Sequence, residues 1–197
     1  MTPQVIINIR GTSGSGKSHL ARRVLHLYPS RLANYVAGRN WPLSYVCTAP
    51  ERRALFVLGN YEAEWGGGAD TVSRELGFKE LAEAAKIGCN LFWEGVIFSD
   101  EVPKTIELSR IAETHIIQLN TPVEQCLADI RARRERAGNV KELSTKNTVE
   151  RISAIDRACG RLKLSQAPGI DKKHVVALDR EAAFSLVVRL LGLDCNS

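Results

Sequence analysis

The sequence contains no apolar run approaching the roughly 20 residues that a helix needs to cross a bilayer, so a membrane-spanning protein is not expected. The opening MTPQVIINIRG lacks the basic flank and long apolar segment of a secretory signal, and a cytoplasmic location is expected. No C-x-x-C pair occurs among the five cysteines, and an odd number cannot all pair within one chain, so reduced thiols are the plain expectation. The four histidines stand far apart and show no metal-ligand spacing. Structural zinc is therefore not expected, although a site assembled by folding is not excluded by sequence distance alone. Internal repeats are absent, and the longest low-complexity segment is three consecutive glycines.

What is present suits a folded globular protein. The 197 residues allow one domain with a real core, carrying at most a small lid. Hydrophobic residues at 44% and charged residues at 25% are ordinary for a globular chain, which argues against disorder. The net charge of +5 favours polyanionic partners without distinguishing nucleic acid from a nucleotide.

Short apolar runs alternate with amphipathic ones. VIINI (5–9), ALFVLG (54–59), NLFWEGVIF (90–98), THIIQL (114–119) and HVVAL (174–178) predict strands, and SYVC (44–47) a further short one. Helices are predicted between them: over 19–27, over 71–88 ending at Gly88, from Val123 through Leu127 and Ile130, from Val149 through Leu162, and over 181–192. Strands separated by helices specify a parallel sheet covered on both faces.

Directly after the first predicted strand, Gly11, Thr12, Ser13, Gly14, Ser15, Gly16, Lys17 and Ser18 match G-x-x-x-x-G-K-[ST] in full. Chance gives such a match in about one per cent of chains this long. Strand before and helix after would aim backbone N–H groups and a helix N-terminus at phosphate oxygens. In that setting Lys17 would reach the β- and γ-phosphates of a nucleoside triphosphate and the Ser18 hydroxyl would ligate Mg²⁺. Further along, LFWEG places Glu94 at the carboxyl end of a strand, where parallel sheets bind ligands. Glu94 is a candidate for the Mg²⁺ shell or for accepting a hydroxyl proton; the alternative is a strand-end carboxylate facing solvent.

Two other segments carry unusual residues. IRARRERAGN ends a predicted helix in four arginines and a glycine, either a solvated basic face or a cluster aimed at phosphates, with Arg131 and Arg134 sharing one face. YEAEWGGGADT (61–71) sets two aromatics and three acids around the glycine triplet. Tyr61 and Trp65 are candidates to stack on a base, or else packing residues. Asp70 is either a helix N-cap or a group that orients or deprotonates an acceptor hydroxyl. Glycines such as Gly67 let backbone approach a bulky acceptor.

GTSGSGKS, FWEG and HIIQLNTPVEQCLADIRARRERAG together resemble the nucleotide and nucleoside kinase-like branch of P-loop proteins over nearly the whole chain. VLGNYEAEWGGGADT with LFWEG is similar to bacteriophage P-loop kinases, a group that includes enzymes phosphorylating 5-hydroxymethyluracil (5-hmdU) in DNA. The resemblance implies a three-layer α/β fold with a five-stranded parallel sheet and an arginine-bearing lid over about 131–146, ATP with Mg²⁺, and in-line phosphoryl transfer to a hydroxyl. It places Arg131 and Arg134 in that lid. It names DNA containing 5-hydroxymethyluracil as acceptor; a free nucleoside, nucleotide or small metabolite is the alternative, and a nucleotide-dependent regulatory protein the second.

Overall fold

β1 (Val5–Arg10) is buried along its whole length because both of its faces are covered. Val5, Ile7 and Ile9 pack with Leu20, Val24 and Val187 of the helices on one side. Ile6 points the other way, into a cluster with Phe78, Leu81 and Trp93. This period-two alternation is what a strand between two helical layers requires, and each fully buried aliphatic side chain contributes about 1.5–3 kcal/mol. The computed structural model describes residues 3–63, 67–138 and 143–193.

After β1 come α1 (Lys17–His26), β2 (Ser30–Asn34), β3 (Ser44–Thr48), β4 (Leu55–Leu58), α2 (Arg74–Lys86) and β5 (Asn90–Trp93). α3 (Pro103–Ser109), β6 (Glu113–Leu119), α4 (Val123–Arg136), α5 (Thr145–Leu164), β7 (Val175–Leu178) and α6 (Arg180–Leu190) complete the order. α1 and α6 pack on one sheet face, α2 on the other, and α5 covers the β6 side through Ile116, Ile155 and Leu162. Side-chain caps start several helices: Ser73 accepts from Leu76 N at 3.4 Å, and Asp179 from Ala182 N at 2.8 Å.

The sheet has seven strands in the order β2-β3-β4-β5-β1-β6-β7, which corrects the expectation of five. β4, β5, β1, β6 and β7 run parallel, and they coincide with the five main predicted strands. β3 and β2 extend the β4 edge by antiparallel pairing. β3 corresponds to SYVC. β2, SRLAN, is exposed or half-buried throughout and shows no apolar alternation. Its place comes from ladder hydrogen bonds to β3, which leave no mark on a local pattern.

One predicted strand and one predicted helix shorten. NLFWEGVIF is strand only through Trp93, and the chain then turns at Glu94-Gly95. The predicted 71–88 helix begins at Arg74, after a 3₁₀ turn over Ala69–Thr71. Cys47, Cys89, Cys126 and Cys159 are buried free thiols. Among the described residues no helix is long and apolar enough to cross a membrane.

Candidate active site

Parallel strands deliver their carboxyl ends to one rim, and three of them build the site there. β1 leads into the Gly11–Ser18 loop, β4 into the 59–68 loop, and β5 ends at Glu94. A cavity of about 280 Å³ opens at this rim, lined on one side by Ser13, Gly14, Gly16, Lys17 and Ser18. Gly67, Asp70 and Val96 line it opposite, and Asp129, Arg133 and Arg136 come from α4.

The glycine-rich loop is held from outside. Lys17 opens α1 and folds back to donate from Nζ to Thr12 O at 2.8 Å. Arg180, the first residue of α6, donates to Ser15 O at 3.0 Å, to Gly14 O at 2.8 Å and to Asp129 Oδ2 at 2.5 Å. Thr121 also donates to Ser15 O, at 2.9 Å. Gly14, with φ +76°, sits so close to the Cys126 carbonyl that a Cβ would collide with it. Arg180 did not stand out in the sequence. Its position just past the strand HVVAL was the available signal, by the same strand-end rule that singled out Glu94.

Glu94 is 1% exposed and lies against the loop: Ser18 Oγ donates to its Oε1 at 3.0 Å, and Tyr61 Oη lies 3.2 Å from the same oxygen. Its Oε2 is buried without a hydrogen-bond partner. Burial pushes the Glu94 carboxyl above its ordinary range, and neighbouring Lys17 pulls it back. Burial likewise lowers the Lys17 ammonium, with Glu94 and Asp70 opposing. An orphaned carboxylate oxygen beside a serine hydroxyl is an oxygen donor set that fits Mg²⁺, which takes few protein ligands.

Asp70 stands exposed at the rim rather than capping a long helix. Its carboxylate accepts from Val96 N and Ile97 N, each at 3.0 Å, so the loop after β5 fixes its position. The glycine segment closes on itself through Asn60 and Gly68, which exchange backbone hydrogen bonds. Gly68 has φ +93°, and a Cβ there would overlap Glu94 Oε1. The glycine is thus what lets this loop lie over Glu94 and Ser18.

Other predicted residues are placed differently. Tyr61 is 7% exposed, its ring tilted against Tyr45 at 6.1 Å, and its hydroxyl also reaches Leu58 O at 3.2 Å. It packs against Tyr45 and contacts Glu94, and it lines a second cavity of about 270 Å³ together with Arg22, His26 and Arg31. Trp65 lies outside the described residues, as do residues 139–142 within the predicted lid. Arg131 and Arg134 are not among the cavity-lining residues, whereas Arg133 and Arg136, on the adjoining face of α4, are. Gly11 and Thr12 lie behind the loop: Gly11 N donates to Ser99 Oγ at 3.2 Å. Ser15 is buried with an unpartnered Oγ. Arg22, on α1, lines the cavity and donates to Ala63 O at 2.8 Å, and Arg39 donates to Thr71 O at 3.0 Å, so both hold the acid-bearing loop.

Fold and site together define an α/β protein whose rim cavity joins a glycine-rich loop with its lysine, an exposed aspartate and three arginines, with Glu94 buried behind Ser18. No protein-family model matches the chain. It is 34% identical over 194 residues to the 5-hmdU DNA kinase of Pseudomonas phage PaMx11, an alignment covering 97% of this chain and 99% of that one. It is also 26% identical over 174 residues to the 5-hmdU DNA kinase of Delftia phage PhiW-14, covering 78% of this chain and 63% of that longer protein. The chain belongs to the phage 5-hmdU DNA kinase family.

Proposed function

We propose that this protein is a P-loop kinase of the nucleotide-kinase-like type that transfers the γ-phosphoryl group of ATP to the hydroxymethyl oxygen of 5-hydroxymethyluracil in DNA. The observation that carries the site assignment is the convergence of Lys17, Ser18 and Asp70 on one cavity beside the Gly11–Ser18 loop, with Glu94 buried against Ser18 behind it. The acceptor comes from the relatives' names.

In this reading the loop and the N-terminus of α1 cradle the triphosphate, and Lys17 neutralises charge on the β- and γ-phosphates. Ser18 and Glu94 would hold Mg²⁺, which offsets charge on the phosphoryl oxygens. Arg133 and Arg136 face the same cavity from α4 and supply the cationic side of a lid spanning about 131–146. Asp70, anchored by two backbone N–H groups, keeps lone pairs free to orient and deprotonate the acceptor hydroxyl. The base has to leave the helical stack to reach it, and the net charge of +5 favours the DNA backbone.

The test is label distribution. Protein, Mg²⁺ and γ-labelled ATP are offered hydroxymethyluracil DNA, thymine DNA and free nucleosides side by side. Label confined to the modified DNA supports the proposal, and label on free nucleosides but not on DNA overturns the acceptor assignment.

A further inference from the structure

At the end of the sheet opposite the candidate active site, β6 and β7 begin side by side. Their register, Ile116 opposite Val175, brings His115 beside His174, and Glu113 precedes them at the start of β6. The two imidazoles lie with centroids 4.3 Å apart and planes inclined by 38°. Their Nε2 atoms both face one carboxylate oxygen: Glu113 Oε1 is 2.7 Å from His115 Nε2 and 3.6 Å from His174 Nε2. One donor atom from each of the three residues lies within 4.8 Å of the other two.

His174 is poorly served by protein alone. Its side chain is 13% exposed, its Nδ1 is buried with no hydrogen-bond partner, and its Nε2 stands beyond hydrogen-bond range of Glu113. On the side that both rings and the carboxylate face, His174 Nε2 has no partner within hydrogen-bond range, and a ligand placed there would supply one. Net charge there is −1 when both imidazoles are neutral, which burial favours for His115. Lys173, the nearest cation in sequence, is directed to Asp171 at 3.7 Å.

We infer that Glu113, His115 and His174 form a binding site for Zn²⁺, remote from phosphoryl transfer. Two imidazoles and one carboxylate are a donor set for zinc rather than for Mg²⁺, with the fourth position left to water on the Glu113 side, where the chain is open to solvent. Bonds of about 2.0–2.1 Å in a tetrahedron place ligand atoms roughly 3.3 Å apart, a value bracketed by the two separations observed here. Closure draws these three donor atoms together, and the exposed Glu113 side chain has room to move. The ion would tie the edge strand β7 to β6, and β7 leads at its far end to Asp179, which caps α6, and to Arg180, which holds the glycine-rich loop. Folding alone assembles this site, so the scattered histidines gave no sign of it.

The full chain, stripped with a chelator and kept in saturating Mg²⁺, is titrated with Zn²⁺ by calorimetry and thermal unfolding, and with Co²⁺ for the visible absorption of a tetrahedral site. Saturable binding of one equivalent is expected, with a rise of several degrees in the unfolding midpoint. His174→Ala and His115→Ala should abolish binding. Glu113→Gln, at a half-exposed position that leaves the fold intact, should weaken it by at least about 10-fold. Absence of saturable binding, or equal zinc affinity in the wild type, Glu113→Gln and His174→Ala, overturns the inference.

Discussion

Replacing Gly68 by alanine tests how the glycine segment serves the site. Gly68 has φ +93° and ψ −171°, a region open essentially to glycine, and placing alanine there costs about 1–3 kcal/mol in backbone strain. The new Cβ would also overlap Glu94 Oε1 and lie 3.1 Å from Ser18 Oγ, so the carboxylate must move off the serine. A hydrogen bond to a charged group contributes about 1.5–3 kcal/mol. The sum is roughly 3–6 kcal/mol, divided between folding and the transition state, and each 1.4 kcal/mol that falls on the transition state is about a tenfold loss of rate. Gly38 provides the control: its φ is +80° and a Cβ there meets nothing within 4 Å, so Gly38→Ala carries backbone strain alone. Urea unfolding and kcat/KM for phosphoryl transfer are measured on both variants. Gly68→Ala is expected to lose at least about 100-fold in kcat/KM, beyond any loss in Gly38→Ala. Transfer within about twofold of wild type, with both variants equally stable, refutes the account of the loop as a cover over Glu94.

Four further outcomes are expected. Asp70→Asn should fold normally and lose about 10²–10⁴-fold in kcat, as removal of a general base does; near-normal turnover removes Asp70 from the chemistry. Arg180→Ala deprives Gly14 O and Ser15 O of a charged donor, so ATP binding by calorimetry should weaken about 10–100-fold, whereas unchanged affinity would leave Arg180 a packing residue. Arg10 is fully buried, its pKa lowered to about 10 by burial, and it donates to Asn8 Oδ1, Ser99 O, Glu101 O and Thr105 Oγ1. Arg10→Met should destabilise by about 2–5 kcal/mol in urea unfolding through the stranded carbonyls, and an unshifted midpoint contradicts that role. Glu94 has a raised carboxyl pKa, so without Mg²⁺ its contribution to stability is present below the ordinary value of about 4.3 and is lost as pH rises through the raised one. The wild type should therefore lose stability relative to Glu94→Gln on raising the pH from about 4, and a difference independent of pH goes against it.

The legible parts of the sequence were those with local causes. VIINI followed by GTSGSGKS specifies strand, turn and helix within fourteen residues, and β1, the loop and α1 stand where that pattern puts them. Glu94 was legible because strand ends in parallel sheets face one rim. β2 escaped because SRLAN is exposed and its strand conformation depends on pairing with β3. On α4 the arginine cluster was visible, but spacing fixes only which residues share a face and not which face meets the cavity; Arg133 and Arg136 are three apart just as Arg131 and Arg134 are. Tyr61 was ambiguous between stacking and packing until the 59–68 loop folded it beneath Glu94. Arg180 carries only the strand-end signal of its place after HVVAL, and the Glu113–His115–His174 cluster comes from a tertiary contact across a long sequence separation, which no window along the chain reveals.

The central claim, that this rim cavity phosphorylates hydroxymethyluracil in DNA, is tested most directly by mass analysis of the modified nucleotide. Wild type and Lys17→Ala are each incubated with ATP, Mg²⁺ and hydroxymethyluracil DNA, and the DNA is then digested to nucleosides. A phosphomonoester on the hydroxymethyl group is expected with the wild type, and its near absence with Lys17→Ala of equal stability. Unmodified hydroxymethyluracil with the folded wild type, or equal phosphorylation by both proteins, would contradict it.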